Sequence, residues 1–455
     1  MMMLSEASTV MKGQLNGADG FFQSVEIDTR RLEKGALYFA IHGETKNGHE
    51  FIAQAMQQGA ASVVADEVFS NADATRHVQV DDTTTALGML ATYWRERFSV
   101  PVVGITGSNG KTTVCRILDC LFNEFIPGIT PQGSFNNHWG VPLTLLKLRQ
   151  QHQSAIIEMG MNHAGELSYL GKIVKPSIGL ITNAAAAHLE GLKTIEGVAR
   201  AKGELIDFVS DDGTVILNRD DSFFAEWKVR AGTKKCLSFG EHEEADFRVL
   251  RTQGNQLRVK IEGRALNFEY PLIGQHNRLN AAAAVAVAVV AGVPLEAIKT
   301  GLKNVNAVQG RLQSLQVSPE LTLIDDSYNA NKASMRAAID VLAEQSGKKV
   351  LILGAMGELG RNSKQIHEEI GVYAKANGID AMLTLVDLND VDYLSDMAAY
   401  LKGFGAGSAA YSEVTDLAAR LDLPSEPTTV LVKGSRFARM ERVVDAIKRT
   451  GGSKC

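Results

Sequence analysis

The apolar residues of this chain follow two periods. Short runs rich in Val, Ile and Leu read as buried strands at residues 100–105, 154–160, 178–183, 214–218, 321–326, 381–386 and 429–436. Another such run begins at 350 and has a glycine-rich exit through 360. Between them, apolar positions three and four apart predict helices at 114–122 and 194–206. Alanine-rich residues 281–293 predict a tightly packed internal helix. Alternating strands and helices imply a doubly wound, mostly parallel sheet. Residues 24–30 read as a strand running into a polar turn. Residues 36–41 and 61–65 are two more strands, and a helix is expected from 48 to 60. These elements predict a separate small α/β domain, joined to the next domain by a helix at 85–98. Residues 235–273 alternate more like antiparallel β, and the tail after Thr450 reads as disordered. Gln309-Gly310-Arg311-Leu312 reads as a junction. The expected fold class is therefore α/β in three domains, at 1–97, 98–311 and 312–455, the last with a Rossmann-like sheet.

Composition narrows the class. A chain of 455 residues is too long for one core. It is 22% charged and 45% hydrophobic, with formal net charge −5, as in an ordinary globular enzyme. No Lys/Arg run marks a nucleic-acid surface. The four cysteines (Cys115, Cys120, Cys236, Cys455) have neither zinc-ligand spacing nor the pattern of a disulfide framework, which fits a reducing cytosol. No signal peptide is read, and the apolar run at 281–293 is shorter than the ~20 residues that span a bilayer. The expectation is a cytoplasmic monomer without membrane insertion.

The chemistry centres on Val102-Val103-Gly104-Ile105-Thr106-Gly107-Ser108-Asn109-Gly110-Lys111-Thr112-Thr113. Strand, glycine-rich turn, Gly-Lys-Thr and helix make a phosphate-binding loop. Glycines let backbone N–H groups face a polyphosphate, and the helix N-terminus adds positive potential. Lys111 would neutralise phosphates, and the Thr112 hydroxyl would bind Mg²⁺. The general pattern places its first glycine at position 105, where this chain has Ile105; glycines stand at 104 and 107 instead. Glu158 ends a strand, as a Mg²⁺ ligand or as a loop residue. His188 is a cap, a surface group or a metal ligand. Lys202 on its helix reads as a solvated charge. Asn277 is a candidate N-cap, while Asn280 is a candidate for a base edge. Lys433 and Arg436 hold an anion or lie in a solvated turn. A GTPase would carry Asn-Lys-x-Asp, but Asn331-Lys332 is followed by Ala333-Ser334. The exit at 354–360 is not a dinucleotide fingerprint.

Several stretches together resemble the Mur ligase family. They are Asp28-Thr29-Arg30, Asn47 to Phe51, Gly107 to Thr113, Asn136 to Leu146, Glu158 to His163, Ala187 to Gly191, Ala201 to Glu204, His276-Asn277 with Asn280, Gly310-Arg311, and Asp325-Asp326-Ser327-Tyr328-Asn329-Ala330-Asn331. The resemblance covers nearly the whole chain. It implies an ATP-dependent ligase that joins an amino acid or peptide to a carboxylate through an acyl phosphate. The Asp325–Asn331 stretch points to the member that adds D-alanyl-D-alanine to a UDP-N-acetylmuramoyl-tripeptide. A folylpolyglutamate-synthase-like ligase is the alternative. By the same resemblance Lys111, Lys202 and His188 are catalytic, with Lys202 carbamylated. Thr112, Glu158, His188 and Lys202 hold two Mg²⁺ ions. Gly107, Ser108, Asn109, Gly110, Lys111, Thr112, Thr113, Asn277, Asn280, Arg311 and Asp326 contact ATP. Ser24, Thr29, Arg30, Asn136, Asn137, Asn329 and Asn331 face the other substrates.

Overall fold

The computed structural model describes residues 1–67, 76–131, 133, 135–185, 189–252, 255–387, 390–421 and 426–452. Its central sheet has nine strands in the order Arg264–Glu269, Gln256–Ile261, Phe247–Leu250, Lys235–Gly240, Thr214–Asn218, Ile178–Ile181, Val102–Thr106, Ser154–Glu158 and Gly128–Ile129. Successive residues of a strand leave on opposite faces. Val102, Ala155, Ile157, Ile181 and Leu217 enter one core, and Val103, Ile105, Ile156, Leu180 and Ile216 enter another. Burial on both faces is the condition for a parallel sheet, and it makes such strands read as unbroken apolar runs. The strand Val102–Thr106 lies between Ser154–Glu158 and Ile178–Ile181, parallel to both. Three strand ends therefore converge beside the phosphate loop.

Helix Lys111–Phe122 buries Val114, Cys115, Ile117, Leu118 and Leu121 in the second core. It packs on helix Gln275–Val290, whose residues 281–288 are all fully buried. Small alanine side chains let these two helices come close. That helix has Gly274 as its N-cap, so Asn277 is not a cap but a first-turn residue, and its amide donates to the Ile273 carbonyl at 2.8 Å. The expected antiparallel region begins later than its alternation suggests. Lys235–Gly240 and Phe247–Leu250 continue the parallel sheet, and only the last two pairings, on either side of Gln256–Ile261, are antiparallel.

The N-terminal unit has a five-stranded sheet in the order Gln14–Asn16, His77–Gln79, Ser62–Ala65, Ala36–Phe39 and Ser24–Glu26. Helix Leu4–Val10 precedes it, and Met2–Met3 pairs with Phe21–Phe22 in a separate two-stranded ladder. The helix expected from 48 to 60 is a 3₁₀ turn at Gly48–Phe51 followed by a helix at Ile52–Gln57. Helix Thr83–Arg95, capped by Asp82, is more than a connector. Trp94 is buried, and its indole donates to the Leu148 carbonyl at 3.1 Å. One continuous core runs from Met2 to Ala231, joining one side of the N-terminal unit to one face of the central sheet, while Tyr38, Ile52, Ala55 and Val63 belong to a small core of the N-terminal unit alone.

The C-terminal sheet has six strands in the order Gln313–Ser318, Leu321–Asp326, Thr428–Lys433, Lys348–Leu353, Ala381–Leu385 and Ser408–Tyr411. All pairings are parallel except the first. Its main core lies within residues 312–447. Asp326 and Lys433 are register partners at adjacent strand ends. Helix Glu441–Gly452 continues past Thr450, so the tail is helical there; residues 453–455 lie outside the described residues. Among the described residues no helix is long and apolar enough to cross a membrane.

Leu118→Ala should cost about 2–5 kcal/mol by opening a cavity between the phosphate-loop helix and the alanine-rich helix. A lowered urea midpoint reads it. Val229→Ala, at a site 81% exposed, should leave that midpoint unchanged.

Candidate active site

Gly107 and Gly110 both have positive φ, +147° and +86°. A Cβ at Gly107 would overlap the Thr182 hydroxyl, and one at Gly110 would overlap the Asn280 amide. Glycine is therefore required at both positions for close approach as well as for conformation. The neighbouring strand end braces the turn. Ser108 N–H donates to the Asn183 carbonyl at 2.9 Å, and Asn109 N–H donates to Asn183 Oδ1 at 3.0 Å. The Thr182 hydroxyl donates to the Asn109 carbonyl at 2.6 Å. Those two N–H groups are thus spent inside the protein. A helix's first N–H groups have no intrahelical acceptor, so those of Lys111 and Thr112 are the donors that this turn offers an anion. Lys111 Nζ folds back onto the Gly107 carbonyl at 2.7 Å, and burial pulls its pKa down while Glu158 works the other way.

Glu158 is 1% exposed. One carboxylate oxygen accepts from the Thr112 hydroxyl and the other from the Asn136 amide, both at 2.8 Å. Thr112 Oγ1 also accepts from Arg311 at 3.1 Å. Lys202 is 2% exposed on helix Ile195–Asp207. It has no hydrogen bond or ion pair among the described residues. Burial pushes its pKa well down, and the charge of Lys111 adds to that. A solvated lysine, the plain expectation for this helix, is excluded.

Residues from the C-terminal side line the same cavity, about 580 Å³ in volume. Arg311 lies over the Tyr328 ring at 4.3 Å. Asn331 caps helix Lys332–Ala343 through a capping box, and its amide donates to Asn109 Oδ1 at 2.8 Å. Lys433 Nζ, 2.6 Å from Asp326 Oδ2, also donates to the Asn329 carbonyl at 2.8 Å. Lys433 is thus buried on a carboxylate, whereas Arg436 lies on the surface against Glu441. Burial pushes the Asp326 carboxyl up against the pull of Lys433. Asn277 and Asn280 line the cavity, and burial pushes His276 beside them down to about 4.

Not every expected site residue meets here. Asn137 reaches the cavity wall, but its side-chain oxygen is engaged by the N–H groups of Trp139 and Gly140. Ser24, Thr29 and Arg30 do not line the cavity. The Thr29 hydroxyl donates to Gln54 at 3.3 Å, and Arg30 pairs with Asp28 at the surface. His188 lies outside the described residues. The loop-bracing pair Thr182 and Asn183 escaped the sequence reading. The signal available was a Thr-Asn at the end of a strand next to the phosphate loop.

A strand-flanked phosphate loop and a second α/β unit closing on it define a nucleotide-dependent ligase site. Three family models match the chain: "Mur ligase family, catalytic domain" at residues 22–95, "Mur ligase middle domain" at 105–288, and "Mur ligase, glutamate ligase domain" at 310–436. The chain belongs to the Mur ligase family. It is 37% identical to the UDP-N-acetylmuramoyl-tripeptide--D-alanyl-D-alanine ligase of Escherichia coli (strain K12), over 98% of each chain. A MurF crystal structure from Acinetobacter baumannii superposes with TM-score 0.89 at 31% identity, covering 98% of both chains. A MurF ligase from Thermotoga maritima in complex with ADP gives 0.83 at 25% identity, covering 95% of this chain and 99% of that one.

Gly110→Ala should weaken binding of a non-hydrolysable ATP analogue about fivefold or more, since its Cβ would overlap the Asn280 amide and the ~1–2 kcal/mol cost of a left-handed non-glycine residue favours a loop shifted out of the binding shape; calorimetric titration reads it. His276 titrates near 6.5 in the unfolded chain and about 4 in the folded one. The unfolded chain therefore takes the proton first. Its contribution to stability is complete above 6.5 and is lost as pH falls toward 4. His276→Gln should flatten the fall of the urea midpoint across that window.

Proposed function

We propose that this protein is an ATP-dependent ligase that adds D-alanyl-D-alanine to UDP-N-acetylmuramoyl-tripeptide, releasing ADP and phosphate. The observation that carries this reading is identity to such ligases along almost the whole chain, with Asp326 and Tyr328 to Asn331 on the wall of the phosphate-loop cavity. A carboxylate is a poor electrophile because resonance and charge repel an amine. Transfer of the γ-phosphoryl group of ATP to it makes an acyl phosphate with a good leaving group. The Lys111 ammonium and the first N–H groups of its helix face the phosphoryl oxygens. The amine of D-alanyl-D-alanine then attacks the acyl carbon, and the tetrahedral adduct collapses to the amide and phosphate. Arg311 and Asn331, reaching in from the C-terminal side, restrict water that would otherwise hydrolyse the acyl phosphate.

The donor set suits Mg²⁺. Thr112 Oγ1 and the buried Glu158 carboxylate are hard oxygen ligands, and His188 completes the set in this reading. Bound Mg²⁺, two ions in this reading, would offset charge on the phosphoryl oxygens. A Lys202 ammonium would repel those ions. Its lowered pKa favours the neutral amine, which attacks CO₂, gives up a proton and becomes an anionic carbamate. That change turns a group that opposes cations into one that binds them. In this reading Thr29, Arg30 and Ser24 contact the uridine nucleotide, Asn136 and Asn137 the muramoyl-peptide end, and Asn329 and Asn331 the incoming dipeptide. The free thiols of Cys115, Cys120 and Cys236 fit a cytoplasmic enzyme, which we take to act as a monomer.

Phosphate release from ATP should require both the tripeptide nucleotide and D-alanyl-D-alanine, with the pentapeptide product identified by mass. Turnover with folate and glutamate instead would overturn the reading in favour of a folylpolyglutamate-type ligase. Lys202→Ala should lose most activity and regain part of it with added short-chain carboxylates. Full activity in that variant would remove the carbamate.

A further inference from the structure

A second cluster of metal-type donors lies in the N-terminal unit, away from the cavity. His42 follows strand Ala36–Phe39, and Asp66 follows its parallel neighbour Ser62–Ala65, so the two stand side by side at the carboxyl edge of the sheet. A bridge between His42 and Asn47 closes the intervening loop and returns His49 over Asp66. His42 Nε2 and His49 Nε2 each lie 3.1 Å from Asp66 Oδ1. The three donor atoms all lie within 4.8 Å of one another.

Hydrogen bonds fix the state of His49. Asn47 Oδ1 accepts from the His49 backbone N–H at 3.0 Å, which identifies that atom as the oxygen. The same oxygen is 2.8 Å from His49 Nδ1, so Nδ1 carries the proton. In the neutral ring Nε2 then presents a lone pair. The side chain is only 6% exposed, and among the described residues Nε2 has no hydrogen-bond partner. It nonetheless stands 3.1 Å from a carboxylate oxygen. Two lone pairs at that distance repel unless a cation or a further proton lies with them. The other oxygen of Asp66 accepts from the Thr83 N–H at 3.0 Å and its hydroxyl at 3.3 Å, which aims Oδ1 at the histidines. Ligand atoms oriented by outer hydrogen bonds are the usual build of a metal centre. Glu67 Oε1, 3.2 Å from His42 Nε2, adds negative charge on the exposed side of the cluster.

We propose that His42, His49 and Asp66 bind a divalent cation of the zinc type, the fourth position being left to water. Two imidazoles and a carboxylate suit zinc, whereas magnesium prefers oxygen donors throughout. The ion clamps the 42–49 loop to Asp66 and, through Thr83, to the start of helix Thr83–Arg95. Its role is to brace the N-terminal unit.

The test uses the full-length protein, stripped with a chelator and held in millimolar Mg²⁺ so that the oxygen-rich site at Glu158 is occupied. Zn²⁺ alone is titrated in, by calorimetry and against the thermal midpoint. The expected result is one Zn²⁺ per chain and a raised midpoint. His42→Ala should weaken binding at least about tenfold and abolish the midpoint shift. The His42 side chain is 46% exposed, so that variant folds; Asp66→Asn, which keeps an acceptor for Thr83, should weaken binding as well. No stoichiometric uptake, or equal uptake by both variants and the parent, would overturn the proposal. So would absence of uptake with a cluster histidine that NMR shows protonated at neutral pH, because an imidazolium–carboxylate pair would then explain the geometry.

Discussion

The Glu158 carboxylate partly offsets the charge of Lys111, whereas the buried Lys202 meets only the loss of water and the like charge of Lys111. Asp326 on the opposite wall is committed to Lys433. Buried charge of one sign in excess is costly, and it is relieved by deprotonation or by an arriving anion. Both remedies are built in: Lys202 is driven toward the free amine, and the helix N-terminus beside Lys111 is open to phosphate. The three strand ends exist in this arrangement to hold that charge pattern. One supplies the turn, one supplies Glu158, and one supplies the Thr182–Asn183 brace that keeps the turn from relaxing.

The C-terminal unit is held to this centre by a few polar contacts. Arg311 touches Thr112, and Asn331 touches Asn109. Gly310, at φ +74°, makes the turn that points Arg311 inward. Both contacts fall on residues of the phosphate loop itself. Occupation of the loop and position of the C-terminal unit are therefore physically connected, since a ligand on Thr112 competes for the hydroxyl that Arg311 now uses.

Much of this was legible in the sequence, and the reason is burial on two faces. The central strands had to be continuous apolar runs, and their order along the chain indicated a wound sheet. The phosphate loop was legible because its glycines and Lys-Thr have few other uses in that setting. Lys202 reads as a surface charge in isolation, yet it stands four residues from both Val198 and Ile206, on the apolar face of its helix. That spacing was the signal for burial. The edge strands at Met2–Met3 and Gln14–Asn16 are too short to display any period. Asn277 resembled a cap because asparagine favours caps, but the glycine three residues earlier took that place. The Thr182–Asn183 brace joins segments more than seventy residues apart, and a Thr-Asn at a strand end was its one local trace.

The division of the cores bears on how the chain comes into being. The N-terminal unit and the central sheet share one core from Met2 to Ala231, and the second face of the sheet is completed by Val305. A ribosome delivering this chain from its N-terminus leaves the small first unit short of packing partners until helix Thr83–Arg95 and the strands behind it emerge. By residue 305 every apolar side chain of those two cores is available. The remaining residues then collapse around a core of their own, and the active site is the last thing made, when Arg311 and Asn331 come to rest on a loop that was synthesised some two hundred residues earlier.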